Sequence, residues 1–177
     1  PFPPETILVA DSFDKASIDA LCASTRVIMS TVGPYALYGE ILVESCVAHG
    51  THYCDLTGEI PFVREMAVKH HDDAKAKGAR IVHCCGFDSI PSDLGVWFLQ
   101  AQAKERGLPY FRRTEGRLMH ASGGFSGGTI ASAMTMAERA KDRDVRRALA
   151  DPYSIAIGKS EGKVDGSDQM GVAKDRA

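Results

Sequence analysis

The sequence predicts an α/β protein built on an open parallel sheet, and three observations predict it. Short apolar runs recur between segments of helical period. The runs are continuously rather than alternately apolar, as in strands covered on both faces. Each intervening helix is long enough to be the crossover that parallel neighbours require. Composition agrees. The 177 residues are 44% hydrophobic and 25% charged, with a formal net charge of −2, which is ordinary for a globular chain. A chain of this size makes one domain, or one domain and part of another. No apolar run nears the ~18 residues of a membrane span, and no basic stripe marks a nucleic-acid binder.

Ile7, Leu8, Val9 and Ala10 read as a buried strand ended by Asp11 and Ser12. Residues 14–23 follow as a helix with Ile18, Leu21 and Cys22 on one face. Val27, Ile28, Met29 and Ser30 form the second apolar run. The helix of residues 36–49 ends at Gly50, a residue free to adopt the left-handed conformation. His52, Tyr53, Cys54 and Asp55 make a third strand. Pro61 opens a helix that runs to Lys77 and stops at Gly78, because proline's missing N–H has no partner in a first turn anyway. Residues 80–84 read as a fourth strand, and Pro91 opens a helix to Arg106. Residues 110–121 are expected to be a strand with one solvated face. Two helical pieces, residues 130–141 and 144–150, come after a Gly-Gly segment. The expected organisation is residues 1–107 as one partial domain, 108–157 as the beginning of a second, and 158–177 as a flexible tail too polar to bury a core.

The five cysteines are Cys22, Cys46, Cys54, Cys84 and Cys85. An odd count without C-x-x-C spacing argues against a disulfide framework and for buried thiols in a reducing compartment. Metal binding is not expected, because the His and Cys residues at 49–54 and 83–85 lack zinc-site spacing as a set. No G-x-S-x-G supports a serine hydrolase. The sequence opens on Pro1, shows no secretory leader, and reads as a piece of something longer. A cytoplasmic location is expected, with peripheral lipid association allowed.

In open parallel sheets, ligands bind beyond the carboxyl ends of the strands. Four loops therefore matter. The loop Thr31, Val32, Gly33, Pro34, Tyr35 offers close backbone approach, stiffness and a flat aromatic face. The following helix should present free N–H groups to an anion or an electron-rich oxygen; an ordinary strand-to-helix turn is the plain alternative. Asp11 is placed either to accept a hydrogen bond from an adenine amino group or to begin a helix. Asp55, Thr57 and Glu59 bring two carboxylates and a hydroxyl to one strand end, for acid–base work or for capping the helix near Pro61. In the fourth loop, Ser89 and Asp93 suit a helix start, while Phe87 and Asp88 have no such duty. Gly123, Gly124, Ser126, Gly127, Gly128 and Thr129 form either an anion-binding nest or a hinge.

Taken together these motifs carry a resemblance. Ser30 to Tyr35, Tyr53 to Glu59, Cys85 to Asp93 and Gly123 to Thr129, in that order, resemble the saccharopine dehydrogenase-like oxidoreductases, and most of all their trans-acting enoyl reductase branch. The resemblance spans residues 7–153. It implies an incomplete Rossmann-type sheet followed by the start of a mixed α/β second domain. It implies NADP or NAD as cofactor, and reduction of a carbon–carbon double bond on a carrier-bound lipid or polyketide chain. By resemblance, Asp11, Thr31, Val32, Gly33, Pro34 and Tyr35 lie along the cofactor. Asp55, Thr57, Glu59, Phe87, Asp88, Ser89, Gly123, Gly124 and Ser126 line the substrate cleft. The resemblance names no proton donor; Tyr35 and Asp88 are candidates for supplying the proton or for orientation.

The sequence departs from the family at its start. The glycine-rich phosphate loop on the first strand and helix does not occur, so this chain alone is expected to bind dinucleotide poorly or not at all, and to be inactive. Two other readings stand beside the reductase. One is a non-catalytic lipid-associated or protein-binding module of the same fold. The other is a saccharopine-type amino-acid dehydrogenase, which would need Arg112, Arg113 and Arg117 to converge on a carboxylate.

Overall fold

The computed structural model describes residues 7–120, 122–124, 126–151 and 153–156. The expected tail, and Phe125 of the Gly-Gly segment, lie outside these residues. Among the described residues the first element is helix α1 (Lys15–Ala23). Asp14 caps it, its carboxylate accepting from the Ala16 N–H at 3.0 Å. Strand β1 (Val27–Ser30) leads to a single helical turn, α2 (Tyr35–Tyr38), and then to α3 (Glu40–His49). The one helix expected over residues 36–49 is therefore two, parted at Gly39, whose backbone packs directly beneath the Phe62 ring. Strand β2 (His52–Asp55), helix α4 (Ile60–Lys77) and strand β3 (Ile81–Val82) follow. Gly50 and Gly78 end α3 and α4 at φ of 69° and 70°, the left-handed caps read from the sequence.

The three strands are parallel in the order β1-β2-β3. Tyr53 pairs with Ile81 and Cys54 with Val82, so the register continues to Asp55 beside His83. One face carries the core: Ile18 and Cys22 from α1, Val43 and Cys46 from α3, Tyr53 from β2, and Phe62 and Met66 from α4, with Tyr35 closing the end. Burying side chains of this size contributes about 1.5–3 kcal/mol each. The opposite face is open. Met29 is 73% exposed, and Val27 and Val82 are half-exposed. Among the described residues the continuous apolar strands thus have helices on one face only, contrary to the expectation of cover on both.

Two expected strands do not form. Residues 7–10 run as irregular chain, unpaired, with Val9 94% exposed. Residues 110–120 are likewise irregular and exposed. The fourth strand shortens to Ile81–Val82, because Cys84 takes a left-handed conformation (φ 60°) that breaks the extended run.

Helix α5 (Ile90–Glu105) is followed by α6 (Gly127–Arg139) and α7 (Arg143–Ala150). Both later helices have side-chain N-caps, from Ser126 to the Thr129 N–H and from Asp142 to the Asp144 and Val145 N–H groups. Arg139 pairs with Glu65 of α4, and Arg64 of α4 donates to the Ser154 carbonyl. The stretch after residue 126 therefore packs back onto α4. Among the described residues, no helix is long and apolar enough to cross a membrane.

Candidate active site

The carboxyl ends of β1 and β2 meet the loop after β3 in a tightly bonded cluster. Asp55 stands at its centre, fully buried. Its Oδ1 accepts from the Thr57 N–H and the Cys84 N–H, each at 3.1 Å. Its Oδ2 accepts from the Tyr53 hydroxyl at 2.9 Å and meets His83 Nδ1 at 2.6 Å. Tyr53 and Asp55 are two apart on one strand, so they share a face, and the register brings His83 alongside. Burial first, then the Asp55 charge, raises the Tyr53 phenol far above its ordinary value, so it stays a donor. The same two causes, burial leading, raise the Cys84 thiol, with Asp88 adding to the effect. Asp55 is thus held from four sides within the cluster and does not face the open cleft.

Glu59 has a second centring role. Its two carboxylate oxygens accept from the Tyr35 N–H at 2.8 Å and the Ala36 N–H at 2.9 Å. The Ser132 hydroxyl of α6 donates to Oε1 at 2.9 Å. Thr57 positions it by accepting the Glu59 N–H at 3.0 Å. The anion expected at the helix start after residue 35 is therefore supplied from within the chain, and those N–H groups are not open to a ligand. Glu59 stands at the N-cap position of α4 but makes no side-chain cap bond there, the plainer role weighed for it and Asp55; its carboxylate takes the first N–H groups of the short α2 instead.

Tyr35 is buried, and its hydroxyl donates to the Ser30 carbonyl at 3.2 Å. Burial, then the charges of Asp55, Glu59 and Asp88, raise its phenol. Thr31 and Val32 lie exposed above it, and the Gly33–Pro34 bond is cis. A Cβ on Gly33 would sit 3.3 Å from the Tyr35 ring and 3.5 Å from Ser132 Oγ. Asp88 is exposed at the rim, with one carboxylate oxygen over Gly86 and the other 3.7 Å from a Cβ built on Gly58. Phe87 projects into solvent. Ser89 occupies the N-cap position of α5, but its side chain makes no cap bond.

Not every predicted residue joins this cluster. Gly123 and Gly124 have open space around them, with no atom within 4 Å of a built Cβ. Ser126 is engaged in capping α6. The Asp11 carboxylate accepts from the Phe13 N–H at 2.9 Å. Yet Asp11 and Val32 do share one shallow hollow of about 420 Å³, floored by Phe13 and Tyr38. Arg113 and Arg117 both turn to Glu115, so those two do not converge on an outside carboxylate. Sequence reasoning missed Ser132 altogether and placed His83 only in a rejected zinc set. The signal for His83 was the register, since a histidine extending β3 falls beside Asp55.

Comparison with known proteins shows what this arrangement is similar to. Residues 6–82 match the saccharopine dehydrogenase NADP-binding domain. This part of the chain is similar to that domain. The matched segment covers α1 through β3, the part that holds Asp55, Glu59 and residues 31–35. Curated relatives extend the likeness further. A Mycobacterium tuberculosis protein named as a trans-acting enoyl reductase is 46% identical over 151 residues, 85% of this chain and 36% of its own length. A trans-acting enoyl reductase of Mycobacterium bovis is 39% identical over 151 residues, 84% of this chain and 36% of its own. One of Mycobacterium ulcerans is 40% identical over 156 residues, 87% of this chain and 37% of its own. The chain spans a little over a third of the length of these relatives. No solved structure matches.

Proposed function

We propose that this chain builds the nicotinamide-side wall of an NADP(H)-dependent reductase that saturates a carbon–carbon double bond on an enoyl acyl chain. The observation that carries the reading is the joining of residues 31–35 to β2 and α6 through Glu59. That junction holds a cofactor-facing loop against the helix that opens the second part of the chain. Support comes from the NADP-binding domain match and from relatives named for enoyl reduction.

When bound, the dinucleotide supplies a hydride. The residues here hold, orient and protonate. Thr31 and Val32 offer the exposed edge for the ribose and nicotinamide side, and the Asp11–Val32 hollow suits the adenine end. Tyr35 keeps its proton and stiffens the loop from below through Ser30. Asp88 is the accessible acid at the rim, and so the better placed of the two donor candidates. The substrate is taken as an acyl chain held by a separate carrier.

The test is a graft. Residues 7–156 replace the matching segment of the M. tuberculosis relative, and loss of reduced nicotinamide absorbance is followed with an enoyl thioester. Enoyl-dependent oxidation is expected, falling 10²–10⁴-fold in Asp88→Asn if Asp88 supplies the proton. A graft that unfolds cooperatively and binds NADPH, yet leaves the double bond intact, would refute the proposal.

A further inference from the structure

Behind the strand ends, between β3 and α4, lies a cavity of about 230 Å³ lined by Met66, His70, His71, Lys75, Ile81 and His83, among others. His83 is held there on three sides. Its Nδ1 meets Asp55 Oδ2 at 2.6 Å, and its ring stands edge-on to Tyr53 and Phe62, with centroids 5.7 Å and 5.5 Å away. The side chain is 9% exposed. Its other ring nitrogen, Nε2, is buried and has no hydrogen-bond partner among the described residues, and the same holds for Nε2 of His70. A buried polar atom without a partner is unfavourable and calls for an occupant that can bond to it. Here two such atoms belong to residues lining one cavity. At ~30 Å³ of liquid volume per water molecule, the space accommodates several, and it has the polar partners that retain them.

We propose that this cavity is a hydrated proton port, in which water linking His83 Nε2 to His70 Nε2 connects the buried Tyr53–Asp55–His83 line to solvent. The step conserves protons and transfers no electrons. A proton received from water at Nε2 releases the one on Nδ1 to Asp55 Oδ2, and the reverse path restores it. The groups facing His83 are Tyr53 and Asp55 from β2 and His70 from α4, with His71 and Lys75 of α4 on the same cavity. The port gives the strand-end cluster a proton route through residues other than Thr31, Val32 and Asp88. It requires neither cofactor nor substrate, so it stands or falls separately from the reductase reading.

The test uses the chain labelled with ¹⁵N-histidine. Nuclear magnetic resonance follows exchange of the His83 Nδ1 proton with water, beside the backbone amides of Tyr53 and Cys54. His70→Phe fills the cavity and removes one polar partner. Exchange of the Nδ1 proton is expected to slow by about tenfold while the two amides keep their rates, since amide exchange reports opening of the core. His70→Gln restores a polar group and is expected to exchange within about threefold of the parent. Should His70→Phe fail to unfold cooperatively, His70→Leu takes its place with the same expectation. An unchanged Nδ1 rate in the apolar variant, or slowing of the amides in step with it, overturns the port. So does tight Zn²⁺ binding that shifts both Nε2 resonances, because the cavity would then be a metal site.

Discussion

One carboxylate, that of Glu59, joins three elements. It takes two backbone N–H groups of α2 and a hydroxyl of α6 while almost wholly buried. Removing it leaves donors buried and unpaired, so Glu59→Ala is expected to cost about 3 kcal/mol in urea unfolding, and Glu59→Gln, which keeps an acceptor, about half of that. Tyr53 gives a prediction in pH. Its phenol is raised in the folded protein by burial and by Asp55. Above about pH 10, the ordinary tyrosine value, the unfolded chain releases this proton while the folded chain keeps it. The stability this group contributes is whole below that pH and falls by about 1.4 kcal/mol per pH unit above it. Tyr53→Phe should lose that part of the alkaline slope, seen in denaturant midpoints measured between about pH 10 and 11. The sequence displayed Asp55, Thr57 and Glu59 as a polar strand end and left capping and chemistry both open. Glu59's partner helix lies 24 residues upstream, across a strand pairing that no local pattern announces.

Glycine makes the contrast at the scale of elements. A Cβ on Gly39 would come within 2.7 Å of both the Phe62 ring and the Tyr35 carbonyl. Gly39→Ala should therefore destabilise by about 1–3 kcal/mol through overpacking. Gly95, inside α5, has nothing within 4 Å of a built Cβ. Gly95→Ala should raise stability by about 0.5–1 kcal/mol, because alanine favours the helix and meets no neighbour. Thermal unfolding of the two variants checks both signs. At the start of α7, Asp142→Ala should cost about 1 kcal/mol, since its carboxylate holds the Asp144 and Val145 N–H groups. Features set by local chemistry were legible in the sequence: the caps at Gly50 and Gly78, Pro61 in the first turn, and the helices they bound. Residues 110–120 were misread, and residues 7–10 form no strand, because apolar pattern tells what a segment can bury, whereas a strand also needs a paired neighbour.

Across the whole molecule, apolar surface is distributed unevenly. The α1, α3 and α4 side of the sheet is packed, while the other side shows Val27, Met29 and Val82. Helix α5 presents Leu94, Val96, Trp97, Phe98 and Leu99 to solvent and buries Ala103 alone. A helix apolar on every side normally lies inside a structure. The parallel order was legible because crossovers leave little other choice. Cover on both faces was not, because continuous strand hydrophobicity reports capacity and not occupancy. The central claim is that residues 31–35 and the loop after β3 form one nicotinamide-facing wall. Titration of the ¹⁵N-labelled chain with NADPH, read by amide shifts, tests it most directly. The chain contains no G-x-G-x-x-G, and the α2 N–H groups are already taken by Glu59, so binding is expected to be weak, in the millimolar range. The shifts are expected to gather at Thr31, Val32, Gly33, Tyr35 and residues 86–89. Shifts confined to the hollow between α4 and α7, or none at ~10 mM nucleotide, at least ten times the expected Kd, would contradict the account.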